Sequence, residues 1–201
     1  MLNGKILGSL ILGQLTSKGM YGSMLVPFSM ALGEGIIDSF KAMNIVTTID
    51  AGFISAGVGK GKLSGLNGNL MLGLMVPQML SRVIMGVSMV PMSQALCSAI
   101  TLYLLSDNIV DTINTGVALG TGVGKVSGLL PATMALAIAA KMTQGGIVGT
   151  HMIPLANAVS MGVCNHIMQS GIINVVISGT PSPTASGAPI PGAGAGIGKV
   201  S

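Results

Sequence analysis

Apolar residues return every four positions after each of three prolines. Phe28, Leu32, Ile36 and Phe40 follow Pro27; Met92, Leu96, Ile100 and Leu104 follow Pro91; Leu155, Val159, Val163 and Ile167 follow Pro154. Steps of four keep a side chain on one slowly drifting helical face, so the pattern predicts helices over 27–43, 91–106 and 154–170. Proline fixes φ and lacks an N–H, which suits it to a first helical turn. Upstream of each lies another apolar run, 10–15, 66–76 and 129–142. These predict a preceding helix, with Pro131 suited to its start in the third case and Gly8 and Gly13 weakening it in the first.

Behind each long helix the period changes. Ile45-Val46-Thr47-Thr48-Ile49, Ile109-Val110-Asp111-Thr112-Ile113 and Ile172-Ile173-Asn174-Val175-Val176-Ile177 are short, β-branched and bounded by glycine. They read as strands. Gly52, Gly116 and Gly179 are then assigned to turns, and a second, glycine-rich extended piece follows at 53–58, 117–123 and 193–200.

These patterns are in register with one another. Gly-Ser-Met-Leu-Val-Pro27, Gly-Val-Ser-Met-Val-Pro91 and Gly-Thr-His-Met-Ile-Pro154 align at a spacing of 64 and 63 residues. Without a gap, Ala31, Ala95 and Ala158 stand four residues on, and Gly35, Ala99 and Gly162 eight on. A second anchor, Gly-Lys with a glycine three residues later, occurs at Gly4-Lys5, Gly61-Lys62 and Gly124-Lys125, and begins again at Gly198-Lys199. The sequence therefore predicts an α+β chain, mainly α with short strands or hairpins. It consists of three tandem helix–helix–strand repeats of about 63 residues, at 1–60, 61–123 and 124–201. The third carries a Pro/Gly/Ser-rich insertion at 180–192 and a terminal strand, and the three pack as one domain.

The Ala/Gly stripe lets helix backbones approach closely, since glycine inside a helix costs about 1 kcal/mol and is accepted at the same position twice. A terminal strand left unpaired would be an open edge. It either closes a pseudo-three-fold ring with the first repeat or adds to a neighbouring subunit. The length of the insertion favours the second, an oligomer-closing strand. The interface residues predicted are Pro27, Pro91 and Pro154; Ala31, Gly35, Ala95, Ala99, Ala158 and Gly162; and the turn glycines Gly52, Gly116 and Gly179.

Composition narrows the function classes. Charged residues are 7% of the chain and aromatics 2%, with 31 Gly, 16 Met, no Trp and a net charge of +4. An average soluble domain carries roughly 25% charged residues. Scattered basic residues and few stacking rings argue against a nucleic-acid module. Two cysteines, Cys97 and Cys164, at unaligned positions exclude a disulfide scaffold and read as buried free thiols. Methionine and small residues in place of aromatics suit a crowded helix assembly more than a ligand pocket.

Candidate chemistry is sparse. Gly120-Thr-Gly-Val-Gly124-Lys125 resembles a phosphate loop, but Leu119 stands where the first glycine belongs and Val126 where Ser/Thr belongs. The repeated lysines are read as a solvated surface. Cys164, His166 and His151 lack a nearby carboxylate and are too thin for zinc. Glu34 and Asp38, four apart, are read as a solvated helix face rather than an acid/base pair. No catalytic residue, cofactor or metal is expected, and the chain is not read as an enzyme.

Val83 to Leu105 is uncharged, and 142–198 carries no formal charge. Length alone permits a spanning helix. Pro91 and Pro154 inside these runs, the missing interfacial Trp and the glycine-rich strands oppose it. A chain this apolar exposes patches that mark interfaces, so burial by other subunits is the preferred reading. The pattern Gly-x-x-Met-Val-Pro, Ala-x-x-x-small, Ile-Val-x-x-Ile, Gly-x-Gly-Lys resembles small glycine- and methionine-rich virion proteins of tailed bacteriophages. That resemblance implies a non-enzymatic, self-associating part of a tail, baseplate or head, located in the virion particle. Its partners would be itself and other subunits, through small-residue helix faces and strand pairing, with no specific nucleic acid. The alternative is a small integral membrane or pore-forming protein.

Overall fold

Helix, helix, strand, strand is the order of elements, and it runs through the chain three times. A computed structural model describes residues 1–43, 45–53, 56–106, 109–114, 119–180 and 192–201. The helices are α1 (Gly4–Ser17), α2 (Leu25–Met43), α3 (Gly68–Leu80), α4 (Met89–Ser106), α5 (Pro131–Gln144) and α6 (Met152–Ser170). The strands are β1 (Ile45–Phe53), β2 (Ala56–Ser64), β3 (Ile109–Asn114), β4 (Leu119–Ser127), β5 (Ile173–Thr180) and β6 (Gly192–Val200). The protein is thus α+β, with six helices and a six-stranded sheet closed into a barrel.

Local chemistry explains where the helices begin. Asn3 Oδ1 accepts the N–H groups of Lys5 and Ile6 at 2.9 and 3.3 Å, and Asn67 Oδ1 does the same for Asn69 and Leu70. Asparagine at this position satisfies donors that have no partner within the helix. At α5 the capping position is Leu130, which offers no such oxygen. There the Tyr103 hydroxyl, from α4, accepts the Leu130 N–H at 2.6 Å and donates to its carbonyl at 3.2 Å.

The helices form a ring in which each packs on the next and α6 returns to α1. The predicted four-step stripes on α2, α4 and α6 lie in the core, with Phe28 and Met92 at its edge. Their partners on the other helices are also spaced by four: Leu7, Ile11 and Leu15; Met71, Met75 and Met79; Met134, Ile138 and Met142, all fully buried. Within the first pair the backbones nearly touch. A Cβ on Gly8 would stand 2.9 Å from the Cα of Met30, and one on Gly4 would stand 2.6 Å from that of Glu34.

Each strand pairs antiparallel with the next, and β6 pairs antiparallel with β1, from Val46↔Gly198 to Gly52↔Gly192. Alternation sends Val46, Leu63, Val110, Val126, Ile173 and Val200 inward beside the helix ring, each no more than 2% exposed. They plug that end of the barrel. About eight strands enclose a lumen that side chains just fill, so six enclose less. The chain meets this constraint by facing glycines of β2, β4 and β6 against side chains of β1, β3 and β5. A methyl on Gly59 would overlap the Asp50 carboxylate and the Thr112 hydroxyl, and one on Gly122 would overlap the Asn114 side chain.

Several expectations are corrected. The terminal strand closes on β1 of its own chain, so the oligomer-closing alternative gives way: the barrel has no edge left to offer. Gly52 and Gly179 lie within β1 and β5, paired with Gly192 and Gly194, because the ladders continue past the predicted turns. Gly116 lies outside the described residues, as does most of the insertion, at 181–191. The long helices begin two residues earlier than predicted, so each proline is the third helical residue. Gly4-Lys5 opens a helix, whereas Gly61-Lys62, Gly124-Lys125 and Gly198-Lys199 lie in strands. The residue that matches Asn3 is Asn67, and the boundaries at 60/61 and 123/124 fall inside β2 and β4.

Candidate interaction surface

Buried polar groups collect at one place in the barrel. Asp50 is fully buried. Its Oδ2 accepts from the Thr48 hydroxyl at 2.8 Å and its Oδ1 from the Asn114 amide at 2.5 Å. Thr112 Oγ1 and Asn114 Oδ1 have no hydrogen-bond partner. The Asp50 carboxylate thus has no solvent contact and is held by two neutral donors, one from its own strand and one from β3. The Asn114–Asp50 contact joins β3 to β1 across the barrel interior. The signal was present in the sequence, because period two puts Val46, Thr48 and Asp50 on one strand face.

The reactive residue types are dispersed. Cys97 Sγ lies 3.8 Å from Met75 Sδ, and Cys164 Sγ lies 3.9 Å from Met134 Sδ. Both thiols are free, and burial pushes each pKa up to about 12, so neither is a thiolate at neutral pH. His166 is buried at the end of α6 nearest the barrel; its Nε2 accepts the Asn3 N–H at 3.0 Å. His151 is exposed at the opposite end of α6. Among the described residues no three His, Cys, Asp or Glu gather as metal ligands. Glu34 is only partly solvated: it pairs with Arg82, which also donates to the Gln78 carbonyl at 2.9 Å. Asp38 stays exposed.

The predicted small-residue stripe lies in the interior of this chain. Ala31, Ala95, Ala99 and Ala158 are buried on α2, α4 and α6. A Cβ on Gly35 would meet the Met75 Cα of α3 at 2.7 Å, and one on Gly162 would meet Ile11 Cγ1 of α1 at 2.8 Å. At these two positions the stripe joins one helix pair to the next, α2 to α3 and α6 to α1. Pro27, Pro91 and Pro154 are half-buried in the first turns of their helices.

Exposed apolar side chains occur on the outer helix faces, as at Leu102 and Leu136, and gather in two further zones. At the turns between paired helices, Tyr21, Met85 and Val148 are 70–80% exposed, and Val26, Val90 and Ile153 are about half exposed. Around the barrel wall, Ile49, Val58, Ile113, Val123, Val176 and Ile197 are 57–78% exposed, one from each strand. Sequence reasoning missed this belt, since inward and outward residues of a β-branched run are equally apolar. Val58 pairs across the ladder with Ile113, Ile113 with Val123, and Val176 with Ile197. Closer to the helices the same wall carries Lys62, Lys125 and Lys199 together with Asp111, whose Oδ2 accepts from Ser127, while Lys60 stands opposite Ile49 in the row of the belt; all five are exposed.

No known protein family, curated protein or solved structure matches this chain. Among the described residues one helix, Met89–Ser106, is long and apolar enough to cross a membrane; half of that stretch is buried against the protein.

Proposed function

We propose that this chain is a non-enzymatic structural component of a large symmetric assembly, in keeping with its resemblance to tailed-phage virion proteins. Its three helix–helix–strand–strand units are copies of one ancestral unit, arranged about a pseudo-three-fold axis that runs through barrel and helix ring. A single copy then sits on a three-fold or six-fold axis of the particle and meets its neighbours in equivalent ways. The observation that supports this is the pairing of β6 with β1, which completes the circle within one chain. The three apolar helix turns would offer neighbours three similar contacts.

Strand pairing and the small-residue faces are used inside the chain, so self-association is not the basis of assembly in this reading. The surfaces available to other subunits are the helix turns and the barrel wall. The reading is tested by cross-linking mass spectrometry on particles isolated from the native source. Cross-links from Lys18, near one helix turn, to a partner present at three or six copies per chain support it. A partner at equal copy number, or recovery of the chain only as a free monomer, overturns it.

A further inference from the structure

We infer that the barrel interior holds a monovalent cation of sodium size, ligated by Asp50 with neutral oxygens of β1 and β3. Matching inward positions carry Thr48 and Asp50 on β1, Thr112 and Asn114 on β3, and Val175 and Ile177 on β5, all no more than 4% exposed. Oxygen atoms therefore line one side of the lumen and aliphatic carbon the other. The strands between them bring glycines to the same level. Gly59 pairs with Asp50 on one side and with Thr112 on the other. A methyl there would overlap both Asp50 Oδ1 and Thr112 Oγ1, so these two oxygens converge over bare backbone. Asn114 Nδ2 donates to Asp50 Oδ1 at 2.5 Å, which keeps Asn114 Oδ1 beside the same carboxylate. Thr48 Oγ1 donates to Asp50 Oδ2 and retains its lone pairs.

Two deficits coincide at this point. Ionised, Asp50 is a buried negative charge with no basic neighbour. Lys60, Lys62, Lys125 and Lys199 lie on the outer face of the wall, and no described inward residue of the strands is basic. Buried charges are paired or coordinate a metal, because desolvation of a lone carboxylate is costly. Beside it Thr112 Oγ1 and Asn114 Oδ1, both buried, have no hydrogen-bond partner. One cation answers both deficits, since it balances the charge and takes lone pairs from the two oxygens. A water molecule would serve the oxygens and leave the charge. The donor set is oxygen only, without thiolate or imidazole, which suits a hard cation. A single carboxylate matches a single positive charge, whereas calcium gathers about six to eight oxygens. A six-stranded lumen is narrow, which favours a small ion.

The site has no solvent contact, so loading is set at folding and release requires opening. The full chain is refolded from urea in sodium chloride or in choline chloride at equal concentration. At a hundredfold excess over Kd, sodium should raise the melting temperature by roughly 5–10 °C relative to choline. Protein refolded in sodium and passed into sodium-free buffer should retain one sodium per chain by atomic emission. Asp50→Asn should abolish both effects. Thr112→Val keeps the shape of the side chain, and its sign separates the readings. If the hydroxyl ligates sodium, the variant melts lower than the parent in sodium and no lower in choline. If the hydroxyl has no ligand, removing a buried unpaired group raises the melting temperature equally in both salts, and the inference falls. Equal melting temperatures of the parent in the two salts, no retained sodium, or a sodium effect that survives Asp50→Asn also overturn it. These outcomes concern the isolated chain and are independent of the copy-number test of the assembly reading.

Discussion

His166 Nε2 accepts the backbone N–H of Asn3 at 3.0 Å, joining two residues 163 apart in the chain. Beside it the Met1 ammonium donates to the Ser170 carbonyl at 2.7 Å. The contact brings the start of α1 to the end of α6 and so latches the helix ring where β6 meets β1. Tyr103 makes the corresponding contact between α4 and the start of α5. Only an unprotonated Nε2 can accept this bond. Burial first, and then the nearby terminal ammonium, hold the His166 pKa below its ordinary value.

The sign of the pH dependence follows. The unfolded chain takes up this proton near pH ~6.5, and the folded chain only at lower pH. The contribution to stability is complete above that value and falls as pH drops from there toward the folded pKa. The melting temperature is expected to decrease between about pH 7 and about pH 5. His166→Gln keeps an acceptor for Asn3 without the titration, and should flatten that part of the curve. An equal slope in the variant would show that other groups carry it.

Gly59 is required by the lumen. A methyl there meets Asp50 and Thr112 inside a closed barrel that cannot spread locally. Gly59→Ala should cost about 1–3 kcal/mol, read by urea unfolding. Gly13→Ala is the comparison: it is helical and exposed, with no atom within 4 Å of the added carbon, and should gain about 0.5–1 kcal/mol. Similar effects from the two substitutions would contradict the packed lumen.

Gly35 and Gly162 occupy matching places in the small-residue stripe but face different obstacles. The added carbon meets the Met75 Cα at Gly35, and the side-chain Cγ1 of Ile11 at Gly162. A side chain can turn aside and a helix backbone cannot. Gly35→Ala should therefore lower the melting temperature more than Gly162→Ala. The reverse order would sink this account of the helix ring.

Val83 has φ +58°, in the left-handed region, where Gly19 and Gly146 stand in the other two helix turns with φ of +76° and +72°. A β-carbon there costs roughly 1–2 kcal/mol, and Val83 is 67% exposed, so little burial offsets it. Val83→Gly should raise stability by about 1 kcal/mol, after the greater freedom of glycine in the unfolded chain is counted. A lower melting temperature would mean that Val83 makes contacts worth more than its strain.

The sequence by itself determined the local elements. Four-step apolar stripes give the long helices, Asn3 and Asn67 supply caps, and β-branched runs before glycine-rich runs give the strands. Each of these depends on residues a few positions apart, so its physics is readable along the chain. Tertiary structure decided the rest. Whether β6 pairs with its own β1 or with another copy's is the same chemistry, and only the ring of six helices places the two edges side by side. The inward or outward fate of Asp50 and Ile49 follows from barrel register, and the glycines of β2, β4 and β6 have meaning only against the side chains opposite them. The strands ran past the predicted turns at Gly52 and Gly179 for that reason: ladder partners 140 residues away at Gly192, and on β6 at Gly194, held them extended.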